Sequence, residues 1–403
     1  MNLWLRIFLP FSAGYFLSYL LRNVNAVIAP ELTRELGVSS ADLGLLTSAY
    51  LLAFGAVQLP LGLMLDRYGP RRVEVGLLVV AALGSLWFAH GSSLGELAMA
   101  RAAIGLGVSA CLMASFKAFT VWFPADRLPS LNAAVMVAGG LGGLTATTPL
   151  AMAVPLVGWR GLFLVLAGLS LLIALVIFFS PDKPAAGSRE TLGQQLRAMI
   201  DVTRSRVFWR YAPQTALAVG GFMALQGLWA IPWLMEVGGH SRDAAAFHLL
   251  LTTGGMMGGF LCIAVFIRPL ARRGITPDHV LTVGMGVGLL CMLGILLNLP
   301  HSHALWFAMG LVFSVGNLAY AQLSSHFAPA LAGRVNSALN LGAFVGAFAV
   351  QWSYGALLDA LQGHGWTAGQ AHHAAFSTLL VLQVLSFGVF LAGKGRTAGQ
   401  PAR

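Results

Sequence analysis

Three side chains that suit an anion recur at helical spacing near the amino terminus. Tyr15, Tyr19 and Arg22 stand at positions i, i+4 and i+7, which places two hydroxyl groups and a guanidinium on one face of a helix. A guanidinium presents a rigid fork of N–H donors that matches a carboxylate or phosphate through two parallel hydrogen bonds. The face therefore predicts one wall of a site for an anionic group.

A second arginine, Arg101, lies inside another apolar segment. A charged side chain at the centre of a membrane helix costs about 2.5–3.5 kcal/mol on insertion scales, so it is a functional candidate. We find no carboxylate near the middle of any apolar segment and expect the acids in loops or at helix ends. Two buried cations then favour an anionic ligand. Two alternatives stay open: Arg101 is structural, and Arg22 snorkels or latches an outer gate to Glu31 or Asp42.

The segments that carry these arginines are hydrophobic throughout. The chain has 57% hydrophobic and 9% charged residues, whereas about a quarter of residues are charged in soluble domains. Apolar runs of about 20 residues recur, and each is long enough to cross a bilayer. Because the runs are continuous rather than alternating, they predict helices and not a β-barrel. We expect an all-α membrane protein with twelve spans, at 5–29, 43–65, 74–90, 95–117, 131–157, 160–180, 210–235, 245–268, 278–299, 304–325, 335–358 and 371–392.

Positive charge is distributed unevenly between the loops. With both termini in the cytoplasm, 19 Lys and Arg residues fall in or beside cytoplasmic segments, and only Arg34, Arg160 and Arg242 lie outside. This asymmetry follows the positive-inside rule and predicts a multi-pass protein of a bacterial inner membrane. The net charge of +10 then reflects topology and contact with anionic lipids, and no nucleic-acid partner is expected.

A polar segment at 181–209 divides the chain into two six-span bundles, at 1–180 and 210–403. We interpret the segment as a cytoplasmic linker. The halves share features at an offset of about 205 residues; for example, Arg127 before span five matches Arg334 before span eleven. The repeat predicts two pseudo-symmetric bundles, the layout of carriers whose substrate site lies near the bilayer midplane at the repeat interface.

The loop after span two carries a charged motif, GLMLDRYGPRR, at residues 62–72. It resembles the signature loop between helices two and three of the major facilitator superfamily, and the six-plus-six layout extends the resemblance over nearly the whole chain. The resemblance implies that the motif forms a charge-relay latch on the cytoplasmic side, with glycines for close helix approach and a tight turn. The implied gating residues are Gly62, Asp66, Arg67, Gly69, Arg71 and Arg72. The alternative is a basic loop that only obeys the positive-inside rule.

The stretch RAAIGLG at 101–107 resembles the family pattern R-x-x-x-G-x-G on helix four. The family arrangement would turn Arg101 towards a cavity lined by helices one, four, seven and ten. The second half supplies neutral polar or aromatic candidates for substrate binding, namely Gln226, Trp229, Asn317, Tyr320 and Asn340.

These patterns predict a monomeric secondary transporter of a small organic anion, which works by alternating access. Coupling to a co-transported or exchanged ion, anion exchange and uniport stay open as alternatives. The alternative is efflux of drugs, siderophores or other amphipathic metabolites, supported by Met-rich helices and by the glycines at 139–143, although the Gly-Pro dipeptide of proton-coupled exporters is missing. An enzyme is not expected, because the chain has no Walker loop, HExxH, GxSxG or paired carboxylates. The spacing of His and Cys predicts no metal site, and no cofactor is expected.

Overall fold

The computed structural model describes residues 3–124, 127–182, 192–327 and 331–393, and every regular element in these ranges is helical. Helices follow from the expected solvent, because a bilayer offers no hydrogen bonds and each backbone group must find its partner within the segment. The helices are α1 (Trp4–Leu36), α2 (Ser40–Tyr68), α3 (Pro70–His90), α4 (Leu94–Trp122), α5 (Leu128–Thr145), α6 (Thr148–Phe178), α7 (Leu192–Thr203), α8 (Arg206–Glu236), α9 (Arg242–Arg272), α10 (Pro277–Leu296), α11 (Ser302–Ser324), α12 (Ala332–Gly363) and α13 (Ala368–Ala392).

Capping residues define several of the helix ends. Ser39 and Asp42 form a reciprocal capping box at the start of α2, and Ser93 and Glu96 form another at the start of α4. Such caps satisfy the first backbone N–H groups, which have no partner within the helix. The C-terminal cap of α1 is Gly37, whose positive φ of 63° suits a residue without a side chain.

The predicted all-α fold with twelve membrane helices is confirmed. In the described residues, eleven helices are long and apolar enough to cross a membrane, and Ala134–Thr145 within α5 is a shorter apolar helix. Gly158, at φ 70° and ψ 162°, kinks α6 between the predicted fifth and sixth spans. A turn at residues 109–110 similarly interrupts α4. These breaks are short, so the span order of the prediction is retained.

The chain divides into two compact units, Met1–Gln194 and Gln195–Arg403. In the first unit, α1 packs on α5, α2 on α4, and α3 on both α4 and α6. In the second unit, α8 packs on α12, α9 on α11, and α10 on both α11 and α13. The same order of pairing recurs in each unit, as expected for a repeat. The linker at 181–209 stays a prediction: 183–191 lie outside the described residues, and Leu192–Thr203 forms α7.

Glycines set the closest helix contacts at equivalent places in the two units. A Cβ on Gly105 of α4 would overlap the backbone carbonyl of Tyr50 on α2. A Cβ on Gly310 of α11 would overlap the carbonyl of Thr252 on α9. Gly105 and Gly310 are 205 residues apart, which is the offset of the sequence repeat. Small residues allow the backbones of membrane helices to approach closely, so this contact is a common feature of both units.

Candidate functional site

Tyr15, Tyr19 and Arg22 lie together on one face of α1. The ring centroids of the two tyrosines are 5.2 Å apart in an edge-on arrangement, and Cζ of Arg22 lies 4.8 Å from the centre of the Tyr19 ring. The hydroxyl of Tyr15 donates to Sδ of Met136 at 3.8 Å, and Tyr15 is buried. Tyr19 and Arg22 remain partly exposed. Helical spacing alone accounts for this face.

Tyr50 of α2 belongs to the same cluster, although sequence reasoning missed it. The Tyr50 side chain lies between two guanidinium groups: Cζ of Arg101 is 4.8 Å from its ring centre, and Arg22 is its other charged neighbour. Its hydroxyl donates to the carbonyl of Ser18 at 3.3 Å. A desolvated arginine over an aromatic ring gains about 2 kcal/mol or more. The signal for Tyr50 was a phenol within an apolar span, as for Tyr15.

Arg101 of α4 is fully buried within the first unit. Its Nη1 donates to the carbonyl of Leu21 at 3.0 Å, next to Arg22 in the chain. Its Nε and Nη2 form no hydrogen bond with any described residue. A buried donor without an acceptor costs about 1–3 kcal/mol, so an acceptor oxygen at this point would be stabilising. The two predicted arginines are therefore brought together, around one tyrosine. We call Tyr15, Tyr19, Arg22, Tyr50 and Arg101 the arginine cluster.

Several acids of the first unit are engaged away from the arginine cluster. Asp66 pairs with Lys117 at 2.7 Å, and Glu35 pairs with Arg160. Asp42 accepts from the backbone N–H of Ser39 and so caps α2. Each of these three acids has a partner outside the cluster, and the cluster itself contains two guanidinium groups. Such a cluster suits a carboxylate, sulfonate or phosphate group.

Glu74 lies near the start of α3 rather than in its middle, but its burial was not predicted. Because α3 begins at Pro70, Glu74 lies more than one turn inside the helix, and it is 1% exposed. Its side chain extends towards α1, where a Cβ on Gly14 would overlap Oε1. The thiol of Cys111 also lies beside it. The sequence shows the acid, but its burial depends on helices that are distant in the chain.

Two of the predicted residues of the second unit are buried and bonded within α8 and its neighbours. Gln226 donates through Nε2 to Oγ1 of Thr253 at 3.0 Å. Trp229 donates through Nε1 to the carbonyl of Gln351 at 3.1 Å and stacks on Tyr354 with centroids 4.9 Å apart. Both lie in a π-helical turn, Leu225–Trp229. Single π-turns inside α-helices are frequent at functional sites, but here both side chains fill the interior of their unit.

The other predicted residues of the second unit lie around α11 and α12. The hydroxyl of Tyr320 donates to Oδ1 of Asn340 at 3.0 Å, whereas Asn317 is exposed in a 3-10 turn. The five predicted residues of this unit thus form separate contacts rather than one cluster. Their substrate-binding role stays a prediction.

The charged loop between α2 and α3 makes three sets of contacts within the first unit. Asp66 pairs with Lys117, rather than with a loop arginine in the contacts described above. Arg71 pairs with Asp182 at 2.8 Å and donates to the carbonyl of Ser180 at 3.0 Å, while Arg72 lies 3.6 Å from Asp182. The guanidinium of Arg67 lies over the Tyr68 ring. The loop therefore ties α2 to α4 and α3 to the end of α6.

The two glycines of this loop differ in their surroundings. Gly69 has a φ of 80° and forms the tight turn between α2 and α3, as the resemblance implied. Gly62 has no atom within 4 Å of the position of an added Cβ. The gating roles of the loop stay a prediction.

A largely apolar cavity lies inside the second unit. It has a volume of about 60 Å³, and its lining includes Gln214, Met285, Met309, Phe313 and Gln383. None of the predicted substrate-binding residues lines it. Within the described residues, no group of three or more His, Cys, Asp or Glu side chains is arranged to hold a metal ion.

Comparison with known proteins places these features in a family. Residues 11–351 match the profile of the Major Facilitator Superfamily. A probable sulfoacetate transporter of Cupriavidus necator is 30% identical over 178 residues, which span 44% of this chain and 41% of that transporter. A galacturonate transporter of Dickeya chrysanthemi is 27% identical over 274 residues, or 62% of this chain and 79% of that transporter.

The fold has solved counterparts. The crystal structure of a bacterial homologue of the human lysosomal transporter Spinster, in an inward-facing and occupied conformation, superposes with a TM-score of 0.75. The match covers 98% of both chains at 15% sequence identity, so it supports the fold alone.

Proposed function

Because the chain belongs to the Major Facilitator Superfamily, we propose that this transporter carries a small organic anion across a bacterial inner membrane. The observation that carries the proposal is the arginine cluster, in which Arg22 and Arg101 flank Tyr50. Two nitrogen atoms of Arg101, Nε and Nη2, lack an acceptor in the described residues. An anionic oxygen satisfies such donors and offsets the charge of both guanidinium groups.

Relatives support the choice of anion. Two relatives of this chain are named for sulfoacetate and galacturonate. Each of these compounds carries at least one acid group that is ionised at neutral pH on a small polar frame, and both suit bidentate binding by arginine. We propose that the acid group binds at Arg22 and Arg101, and that Tyr15, Tyr19 and Tyr50 border it. The five predicted residues of the second unit are proposed as further contacts.

The rest of the assignment follows the distribution of charge. We propose that both termini and the charged loop lie in the cytoplasm, that the chain works as a monomer, and that it moves its substrate by alternating access. The ion pairs of Asp66 and Arg71 support a structural part for the loop at that end of the first unit. Membrane lipids are the expected partners of its basic segments.

Ligand binding by the purified protein tests the anion assignment. Detergent-purified protein is heated with galacturonate, sulfoacetate, neutral sugars and cationic amphiphiles, because a ligand that prefers the folded state raises the apparent melting temperature. We expect the two anions to stabilise the wild type. Arg22→Ala should weaken their binding at least ~10-fold, since hydrogen bonds to charged groups contribute about 1.5–3 kcal/mol.

The matched control is Arg204→Ala, which removes the same charge from an exposed side chain whose ion pair in the described ranges is with the exposed Asp201. This variant should bind anions as the wild type does. Stabilisation by cationic or neutral amphipathic compounds alone would contradict the proposal and favour efflux of such compounds.

A further inference from the structure

Glu74 is an acidic side chain buried without a hydrogen-bond partner among the described residues. The residue is 1% exposed, and neither Oε1 nor Oε2 accepts a hydrogen bond in the described part of the chain. It lies on α3, facing Gly14 of α1 and the Cys111 thiol of α4. The missing side chain of Gly14 provides the space that Oε1 occupies. The packing thus accommodates a carboxyl group, and beside it the described residues provide the weak S–H donor of Cys111 but no cationic partner for a carboxylate.

Charged and titratable groups on the neighbouring helices have other contacts. On α2 and α4, Asp66 pairs with Lys117, and Arg101 donates to the Leu21 carbonyl. At the start of α3, Arg71 and Arg72 contact Asp182, and on α6, Arg160 pairs with Glu35. On α1, Tyr15 bonds to Met136, and Arg22 lies over the Tyr19 and Phe54 rings. Of the titratable groups described, the Cys111 thiol is the one beside Glu74.

Burial without a counter-charge decides the protonation state of this carboxyl group. A carboxylate removed from water and left unpaired is so unfavourable that it takes up a proton instead. In the conformation described, Glu74 is therefore a neutral carboxylic acid. The same carboxyl group will release the proton when a change in helix packing admits water or a cation to the pocket.

We propose that Glu74 binds the proton that is co-transported with the organic anion. The proposal rests on the proposed function, because an anion that moves alone into a negatively charged cell moves against the membrane potential. One proton carried with one monoanion removes this cost. The proton binds a carboxylate oxygen of Glu74 from water on the side of substrate entry, and it returns to water on the side of release. No other bond forms or breaks.

A variant of Glu74 is tested in two assays, one that depends on a pH gradient and one that does not. A loss in the first assay alone would show that Glu74 binds the proton rather than only supporting the fold. Glu74→Gln keeps the shape of the carboxylic acid but binds no proton. Purified protein is reconstituted into liposomes with radiolabelled galacturonate or sulfoacetate as the probe. Two rates are measured: counterflow at equal pH, and accumulation driven by a pH gradient.

For galacturonate, a monoanion, a gradient of one pH unit can drive about tenfold accumulation at one proton per anion, and we expect the wild type to approach that level. Sulfoacetate is a dianion and needs two protons for the same charge balance. Glu74→Gln should keep counterflow but show no accumulation above equilibrium. The control is Glu96→Gln, in which glutamine retains the capping box at the start of α4. This variant should resemble the wild type in both assays.

Each other outcome is decisive. Gradient-driven accumulation by Glu74→Gln at the wild-type level would overturn the inference, and so would a wild type that exchanges anions without responding to the gradient. The latter result would leave the proposed function intact.

If neither anion moves in the wild type, the proposed function fails instead, and infrared difference spectra then test Glu74 alone. A protonated-carboxyl band that is present in the wild type and missing from Glu74→Gln supports proton binding. An unchanged spectrum contradicts it. If Glu74→Gln does not fold, Glu74→Asp replaces it, with a shifted pH dependence of accumulation expected and an unchanged one contradictory.

Discussion

At the residue scale, Tyr50 allows two like charges to lie in one buried cluster. Arg22 and Arg101 would repel each other in an apolar environment, since charge interactions strengthen as the local dielectric constant falls. The Tyr50 ring offers its negative face to Arg101 at 4.8 Å. Its hydroxyl donates to the Ser18 carbonyl and accepts from Arg22. The ring therefore positions Arg101, and the hydroxyl contacts Arg22.

Replacement of Tyr50 tests this division between ring and hydroxyl. Tyr50→Leu should weaken galacturonate or sulfoacetate binding by about 30-fold, because a desolvated cation–π contact contributes about 2 kcal/mol. Tyr50→Phe retains the ring and loses only the hydroxyl contact with Arg22, so its loss should be smaller. Affinities from a ligand titration of melting temperatures provide the measurement. Equal losses in both variants would show that the hydroxyl is the important group.

Candidate residues on a single helix could be predicted from the sequence, because their arrangement depends only on helical spacing. The Tyr15, Tyr19 and Arg22 face follows from helical periodicity, and the structure reproduces it. Tyr50 and Glu74 could not be found in this way, because their significance comes from what other helices bring beside them. In addition, α3 begins at Pro70, four residues before the predicted start of the third span, so Glu74 is not the first residue of its helix.

At the element scale, glycines allow the backbone of α4 to pack directly against neighbouring helices. Gly105 lies against the Tyr50 carbonyl, and a Cβ on Gly107 would overlap the backbone of Ala81 on α3. Arg101 stands one turn before Gly105, so the same close approach brings its guanidinium to the Tyr50 ring. The sequence pattern predicts a glycine-rich contact surface, and it leaves open which helix the surface meets.

A single methyl group tests the contact between α4 and α2. Gly105→Ala should destabilise the protein by about 1–3 kcal/mol, because the added carbon overlaps a backbone atom that cannot move independently. Gly95→Ala, in the first turn of the same helix, is the control, because its Cβ would enter open space and alanine favours helix. Thermal unfolding of the purified variants is the measurement. A stable Gly105→Ala protein would contradict the described packing.

At the scale of the whole molecule, the two units share their helix pairing but not their chemistry. Arg101 and Trp306 are 205 residues apart, at the offset of the repeat, and both are fully buried. The first unit therefore places a cation where the second places an aromatic ring. The repeat and the twelve helices could be predicted, since hydropathy and charge are properties of the chain itself. The difference in buried charge between the two units could not be predicted from the sequence, because burial depends on how the helices pack.

Anion exchange by the reconstituted protein is the most direct test of the central claim that the arginine cluster carries an organic anion. Liposomes loaded with unlabelled galacturonate or sulfoacetate are diluted into the labelled compound, and counterflow is followed for the wild type, Arg22→Ala and Arg204→Ala. We predict counterflow of at least one anion by the wild type. The rate should fall at least ~10-fold in Arg22→Ala, as expected for a lost charged hydrogen bond, and should be unchanged in Arg204→Ala. Absence of counterflow for both anions, or counterflow that Arg22→Ala leaves unchanged, would contradict the claim.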